Sequence, residues 1–263
     1  MDDIFLIEIP IFKPKYKRWK KYGYKNSTEK ENLKNVLEEC SNGYCMYCYT
    51  RIRVDGKFYA NLEHAIEKNN SKKLVECIPN IGLACSVCNQ SLKKYGEQNR
   101  KLSQEIVSDY ERDSLCSVKK RKQCTLPCKA LRTLQRQYGN LPGGEIILQP
   151  NGIKGSDTNE ILNLQFDILK MEFQPANNFH KYSEKEQEFI NTHICRFKLN
   201  DPRYKREGLY DFIRNIVDNE GNIPTYQYNN ILVEKFCDKL KDRTKEEIYK
   251  ICKTIFCIVF STN

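Results

Sequence analysis

No long hydrophobic run occurs in this chain. The longest apolar stretches, such as IFCIVF from Ile255 to Phe260, are far too short to cross a bilayer core of about 30 Å, which excludes a helix of that kind. The opening MDDIFLIEIP is acidic and has no apolar segment followed by a cleavage site, so a secretory leader is not expected. Internal repeats, sustained heptads and low-complexity tracts are missing too. Histidine is scarce: His64, His180 and His193 are the three in the chain. Candidates for imidazole chemistry are therefore few.

Cysteine and positive charge are abundant. Thirteen cysteines, an odd number without a leader, argue against an extracellular disulfide framework and for reduced thiols, some on metal, in a cytoplasmic protein. The formal net charge of +10 fits a polyanionic partner such as nucleic acid, and no membrane partner. A hydrophobic content of 40% over 263 residues allows a core of one large domain or two small ones.

Four of the cysteines form two close pairs. Cys45 and Cys48 lie in GYCMYCYTR, and Cys85 and Cys88 in NIGLACSVCNQSLKK. Two such pairs suit a closed tetrahedral zinc site, which is structural because no coordination position stays open. Cys116, Cys124 and Cys128 match no standard metal spacing and lack a clear fourth ligand, so free thiols are expected, with a second metal site as the alternative.

The rest of the chain divides at changes of pattern. Residues 1–25 hold a short strand within Ile4–Phe12 and then a basic arm, KPKYKRWKKYGYK. There Lys17, Arg18, Lys20 and Lys21 suit phosphates and Trp19 suits base stacking; a solvated arm with aromatics packed on the domain is the alternative. Residues 26–96 begin with a helix carrying a Thr28–Glu31 capping-box pattern. The first Cys pair follows, then a hairpin turn at Asp55-Gly56. A strand ending at Glu63-His64 comes next, then a loop, a strand over NIGLAC, and helical turns from Ser86 to Lys94. This is a ββα arrangement stapled by zinc. Residues 97–140 read as a charged, cysteine-containing insertion. Residues 141–263 open with a strand over EIILQP and are helical from Glu184 onward.

Between the Cys pairs lies a set suited to phosphodiester hydrolysis. That reaction needs a proton acceptor for water and charge neutralisation at the phosphoryl and departing oxygens. His64 is the base candidate. Glu63 and Asn89 offer hard oxygens to one divalent cation. Asn80 would brace the loop after His64, and Lys93 would meet a phosphate. Each also has a plainer reading: a satisfied His64, a solvent-facing Glu63, Asn89 as a helix cap and Asn80 as a turn residue. His180 and His193 have no partner pattern and read as structural.

The string CMYC…LEHAIEK…NIGLACSVCNQSLK resembles the HNH (His-Me finger) endonucleases. The resemblance implies an α+β fold with a zinc-stapled ββα-metal core and a mainly helical C-terminal region. It implies His64 as general base, Asn80 as the orienting Asn, Glu63 and Asn89 as ligands of a catalytic Mg2+ or Mn2+, and zinc on Cys45, Cys48, Cys85 and Cys88. Weaker likeness in EIILQP, LNLQFD and THICRFKLN is to HNH proteins of retron-associated and Septu-type antiphage systems, which implies a partner ATPase. Glu67-Lys68 departs from the Pro-Lys frequent in that group. The expectation is a DNA endonuclease; a double-strand cut would need a homodimer or repeated nicking. An RNA nuclease of the same fold, acting for example on tRNA, and a non-catalytic zinc-ribbon binding module are the alternatives.

Overall fold

The structure is a computed structural model and describes residues 4–114, 124–201, 205–225 and 230–260. It is a mixed α/β chain with three small antiparallel sheets and a helical C-terminal region. Among the described residues, no helix is long and apolar enough to cross a membrane.

Helix α1 (Ser27–Cys40) buries Leu33, Val36 and Leu37. Its cap is Asn26, whose side chain accepts from the Glu29 amide, ahead of the expected Thr28–Glu31 box. Both patterns are present in the sequence, and the helix begins at the earlier one because Asn is among the best N-caps. It ends as Asn42 and Gly43 turn left-handed (φ 50° and 72°) and the Gly43 amide reaches back to the Glu38 carbonyl, a helix stop that favours glycine.

Strands β2 (Arg53–Val54) and β3 (Lys57–Phe58) flank Asp55-Gly56, both at positive φ. This is the type I′ geometry that a two-residue hairpin requires. Strands β4 (Ala60–His64) and β5 (Ile81–Cys85) pair antiparallel, with Glu63 opposite Gly82 and His64 opposite Ile81. Gly82 is needed because a Cβ there would lie 3.0 Å from the Gln149 carbonyl oxygen. EIILQP thus meets the hairpin at Gln149 and enters no described sheet.

The N-terminal strand β1 (Leu6–Glu8) pairs with β6 (Leu164–Asp167), which pairs in turn with β7 (Glu172–Pro175). Helices α2 (Gln104–Asp113) and α3 (Lys129–Gly139) pack together. Helix α4 (Glu184–Arg196) lies against β7, and α5 (Lys205–Asp218) packs on α6 (Ile231–Leu240) and α7 (Lys245–Ile255). One buried apolar cluster runs from Ile7 to Ile255 and includes the first Cys pair and its neighbours Tyr44, Met46, Tyr47 and Tyr49.

Candidate metal centre and adjoining cleft

The four cysteines of the two pairs converge. Their Sγ atoms all lie within 4.8 Å of one another, and three of the four residues are buried. The Cys48 and Cys85 sulfurs are 3.7 Å apart. A tetrahedron with Zn–S of about 2.3 Å has S···S edges of roughly 3.8 Å, so the group suits a structural metal such as zinc. Local backbone builds it. Tyr49 takes φ 63° and donates to the Cys45 carbonyl, closing the first knuckle. The Met46 amide donates to Leu83 of β5, and the Cys85 amide points at Cys45 Sγ. Cys116 lies outside the described residues; Cys128 caps α3 by accepting from the Leu131 amide.

The β4–β5 hairpin links this centre to a cleft of about 300 Å³ whose lining includes His64, Glu63, Glu67, Asn89, Lys93 and Tyr24. His64 is nearly buried at the end of β4, with Nε2 3.1 Å from the Val75 carbonyl oxygen. The edge of its ring meets Tyr24 at 4.5 Å between centroids. Burial is the largest influence on the imidazole and holds its pKa below the usual value. A neutral ring donating from Nε2 to Val75 leaves Nδ1 as the basic nitrogen.

Asn80 is fully buried and makes a two-point clamp on Ile66: Oδ1 accepts from the Ile66 amide and Nδ2 donates to its carbonyl, both at 2.9 Å. The Ala65 amide also donates to the Asn80 carbonyl. The segment directly after His64 is therefore fixed in place.

Glu63 is 3% exposed and engaged at both oxygens. Lys93 Nζ lies 2.5 Å from Oε1, and the Tyr47 hydroxyl donates to Oε2 at 2.7 Å. Lys93 Nζ also donates to the His64 carbonyl. The expected α-helical turns after Cys85 give way to a π turn over Cys88–Leu92. The wider turn carries one extra residue, as π turns do, and the ammonium is drawn inside, where it pairs with Glu63. Asn89, on the same turn, is half-buried and lines the cleft.

A second carboxylate completes the network. Glu67 Oε1 accepts from Arg100 Nη2 at 3.0 Å and from the Tyr138 hydroxyl at 2.8 Å, and lies 3.5 Å from Lys93 Nζ. Arg100 is fully buried, and Tyr138 belongs to α3. Glu67 stood out in the sequence only as a departure from Pro-Lys, and Arg100, Tyr138 and Tyr47 carry no short-range signal there; burial of an Arg is unusual unless it is paired, and its partner lies 33 residues away.

The basic arm divides between its two readings. Tyr16 and Tyr22 pack edge to face, and the Tyr24 and Lys25 amides donate to Glu76. Trp19, 80% exposed, stands in solvent with Lys17, Arg18, Lys20 and Lys21. The other two histidines lie elsewhere: His180 contacts Glu8 and Glu160, while His193 is buried and accepts from the Ile147 amide. No protein-family model, curated protein or solved structure matches this chain.

Proposed function

We propose that the chain is a metal-dependent endonuclease of the HNH type, with a zinc-stapled ββα-metal core, hydrolysing DNA as the effector of a cytoplasmic antiphage system. The observation that carries this reading is one hairpin: β4–β5 ends on the four-cysteine group and delivers His64 and Glu63 into the cleft that Asn89 lines. A structural metal would hold the hairpin, and the hairpin would hold the chemistry.

The donors in the cleft fit a hard divalent cation. Glu63 keeps a lone pair on each oxygen beyond its present partners, and Asn89 offers an amide oxygen. Mg2+ or Mn2+ held by these two would supply charge neutralisation at the phosphoryl and departing oxygens. His64 Nδ1 would take the proton from the attacking water, its pKa being kept low by burial. Asn80 would hold the His64 loop through Ile66. Lys68 and Lys94, exposed at the cleft, would meet the phosphates flanking the scissile one. The Trp19 arm would add contacts along the strand. In this reading the helical C-terminal region docks a regulatory ATPase or a second copy of the chain.

The test is cleavage of plasmid DNA and of total tRNA in EDTA, Mg2+ or Mn2+, by the wild type and His64→Ala. Metal-dependent cutting of plasmid, lost in the variant and declining in the wild type only below the usual imidazole range, because burial holds the His64 pKa down, is the expected result. Cutting that survives His64→Ala refutes the proposal; cutting confined to tRNA moves the substrate to RNA. Nucleic-acid binding without cutting, alone or with co-purifying proteins, would favour the binding module that the exposed Trp19 also suits.

A further inference from the structure

A second cavity lies apart from the nuclease cleft. A cavity of about 940 Å³ opens between α3, the 151–162 loop and α4, and shares no lining residue with that cleft. Its size is at the upper end for small-molecule sites, roughly 300–1,000 Å³. We propose that it binds a nucleoside polyphosphate.

Charge is the first argument. Lys13, Arg132, Arg136, Lys154 and Lys185 line the cavity from four separate segments. None of the five appears in an ion pair among the described residues. Three carboxylates share the lining, Glu145, Glu186 and Glu188. Glu186 is spent on the protein itself: Oε1 accepts from the Asp157 and Thr158 amides, and Oε2 from the Thr158 hydroxyl and the Ser183 amide. The cations thus exceed the carboxylates left to oppose them. Arg132 and Arg136, one turn apart on α3, present guanidinium forks that match phosphate oxygens two at a time.

The second argument is a built wall. Lys154 bridges to Ile161, and the Leu162 amide donates to Ile153, so the loop is a closed hairpin. Glu186 ties that hairpin to the first turn of α4. Gly155 permits the approach, since a Cβ there would lie 1.9 Å from Glu186 Oε1. A wall fixed before binding lowers the cost of ordering it around a ligand.

The third is an orphan donor. Asn151 lines the cavity in a left-handed conformation (φ 74°), and its Nδ2 is buried with no acceptor. A ligand oxygen would supply the missing acceptor once the amide turns to the cavity. Phe189, Ile153 and Ile161 supply an apolar side to the same space, suited to a planar base. Cations from several directions favour more than one phosphate, and the aromatic and aliphatic side favours a nucleoside over a bare anion.

The test is calorimetric titration of the full chain with ATP, GTP, tripolyphosphate and adenosine. Wild type, the double variant Arg132→Gln/Arg136→Gln, Asn151→Gly, and Lys57→Gln as a remote charge control are compared, with circular dichroism confirming the fold of each. At least one nucleoside triphosphate is expected to bind, more tightly than tripolyphosphate, with adenosine silent. Affinity should drop roughly tenfold or more in the double variant and severalfold in Asn151→Gly, which keeps the backbone conformation and removes the amide. It should be unchanged in Lys57→Gln and in His64→Ala, so the result is independent of the nuclease reading. No binding of either triphosphate at millimolar concentration overturns the proposal. So does equal binding by the double variant, or tripolyphosphate binding as tightly as the nucleotides.

Discussion

Lys93 holds Glu63: the ammonium nitrogen lies 2.5 Å from Oε1, and both side chains are at least nine-tenths buried. The same ammonium is 3.5 Å from Glu67, so two carboxylates share it. Removing one partner of a buried pair leaves the other uncompensated, which costs about 3–5 kcal/mol. Lys93→Met is therefore expected to lose about that much in urea unfolding at pH 7, chiefly from Glu63, since Glu67 keeps Arg100 and Tyr138. A cation for Glu63 must share it with Lys93, so Lys93→Met should also bind Mn2+ more tightly than the wild type. Electron paramagnetic resonance of free Mn2+ measures this without any activity assay, and an unchanged affinity would show that Lys93 does not compete.

The four-cysteine group carries the second prediction. A metal bound only by the folded chain adds its binding energy to folding. The purified protein should hold one equivalent of tightly bound zinc, and Cys88→Ser should hold much less. Stripping the metal with a strong chelator should lower the melting temperature by at least roughly 10 °C. A chelator-insensitive melting curve would make the cysteines merely buried thiols.

Asn80 can be separated from the chemistry it supports. Asn80→Ala leaves the Ile66 amide and carbonyl unpaired in a buried site and should cost about 2–4 kcal/mol. Asn80→Asp keeps the acceptor for the Ile66 amide but sets a buried carboxylate against its carbonyl, so a loss at least as large is expected at pH 7. Chemical denaturation of the three proteins checks the order, and equal stability of Asn80→Ala and wild type would contradict the clamp.

His193 should make the fold acid-sensitive. Burial pushes its pKa down to about 3, against about 6.5 in an unfolded chain. The unfolded state therefore binds the proton first as pH falls. The stabilising contribution is complete above about pH 6.5 and is lost progressively between there and pH 3, at up to about 1.4 kcal/mol per unit. His193→Gln keeps an acceptor for the Ile147 amide and does not titrate, so its stability should fall less steeply across that window. Denaturant unfolding at several pH values measures the difference in slope.

Short-range features were readable before any fold was known. The paired cysteines, the Asp55-Gly56 turn, the strand that ends on Glu63-His64 and the C-terminal helices all follow from residue spacing and turn chemistry within a few positions of one another. Caps and turns are local competitions, and where two caps competed at α1 the stronger, Asn26, started the helix. Tertiary packing alone decided the rest. It paired β1 with β6 across most of the chain, and it set Gln149 of EIILQP against Gly82, outside any described sheet. It buried Arg100 and Tyr138 against Glu67, and the π turn after Cys88 brought Lys93 in to meet Glu63. These pairings join segments distant in sequence, and a buried charge is stable only where its partner arrives from elsewhere, so no local pattern could announce them. The same holds for the cationic cavity beside α3, whose lysines and arginines look in the sequence like an ordinary solvated face.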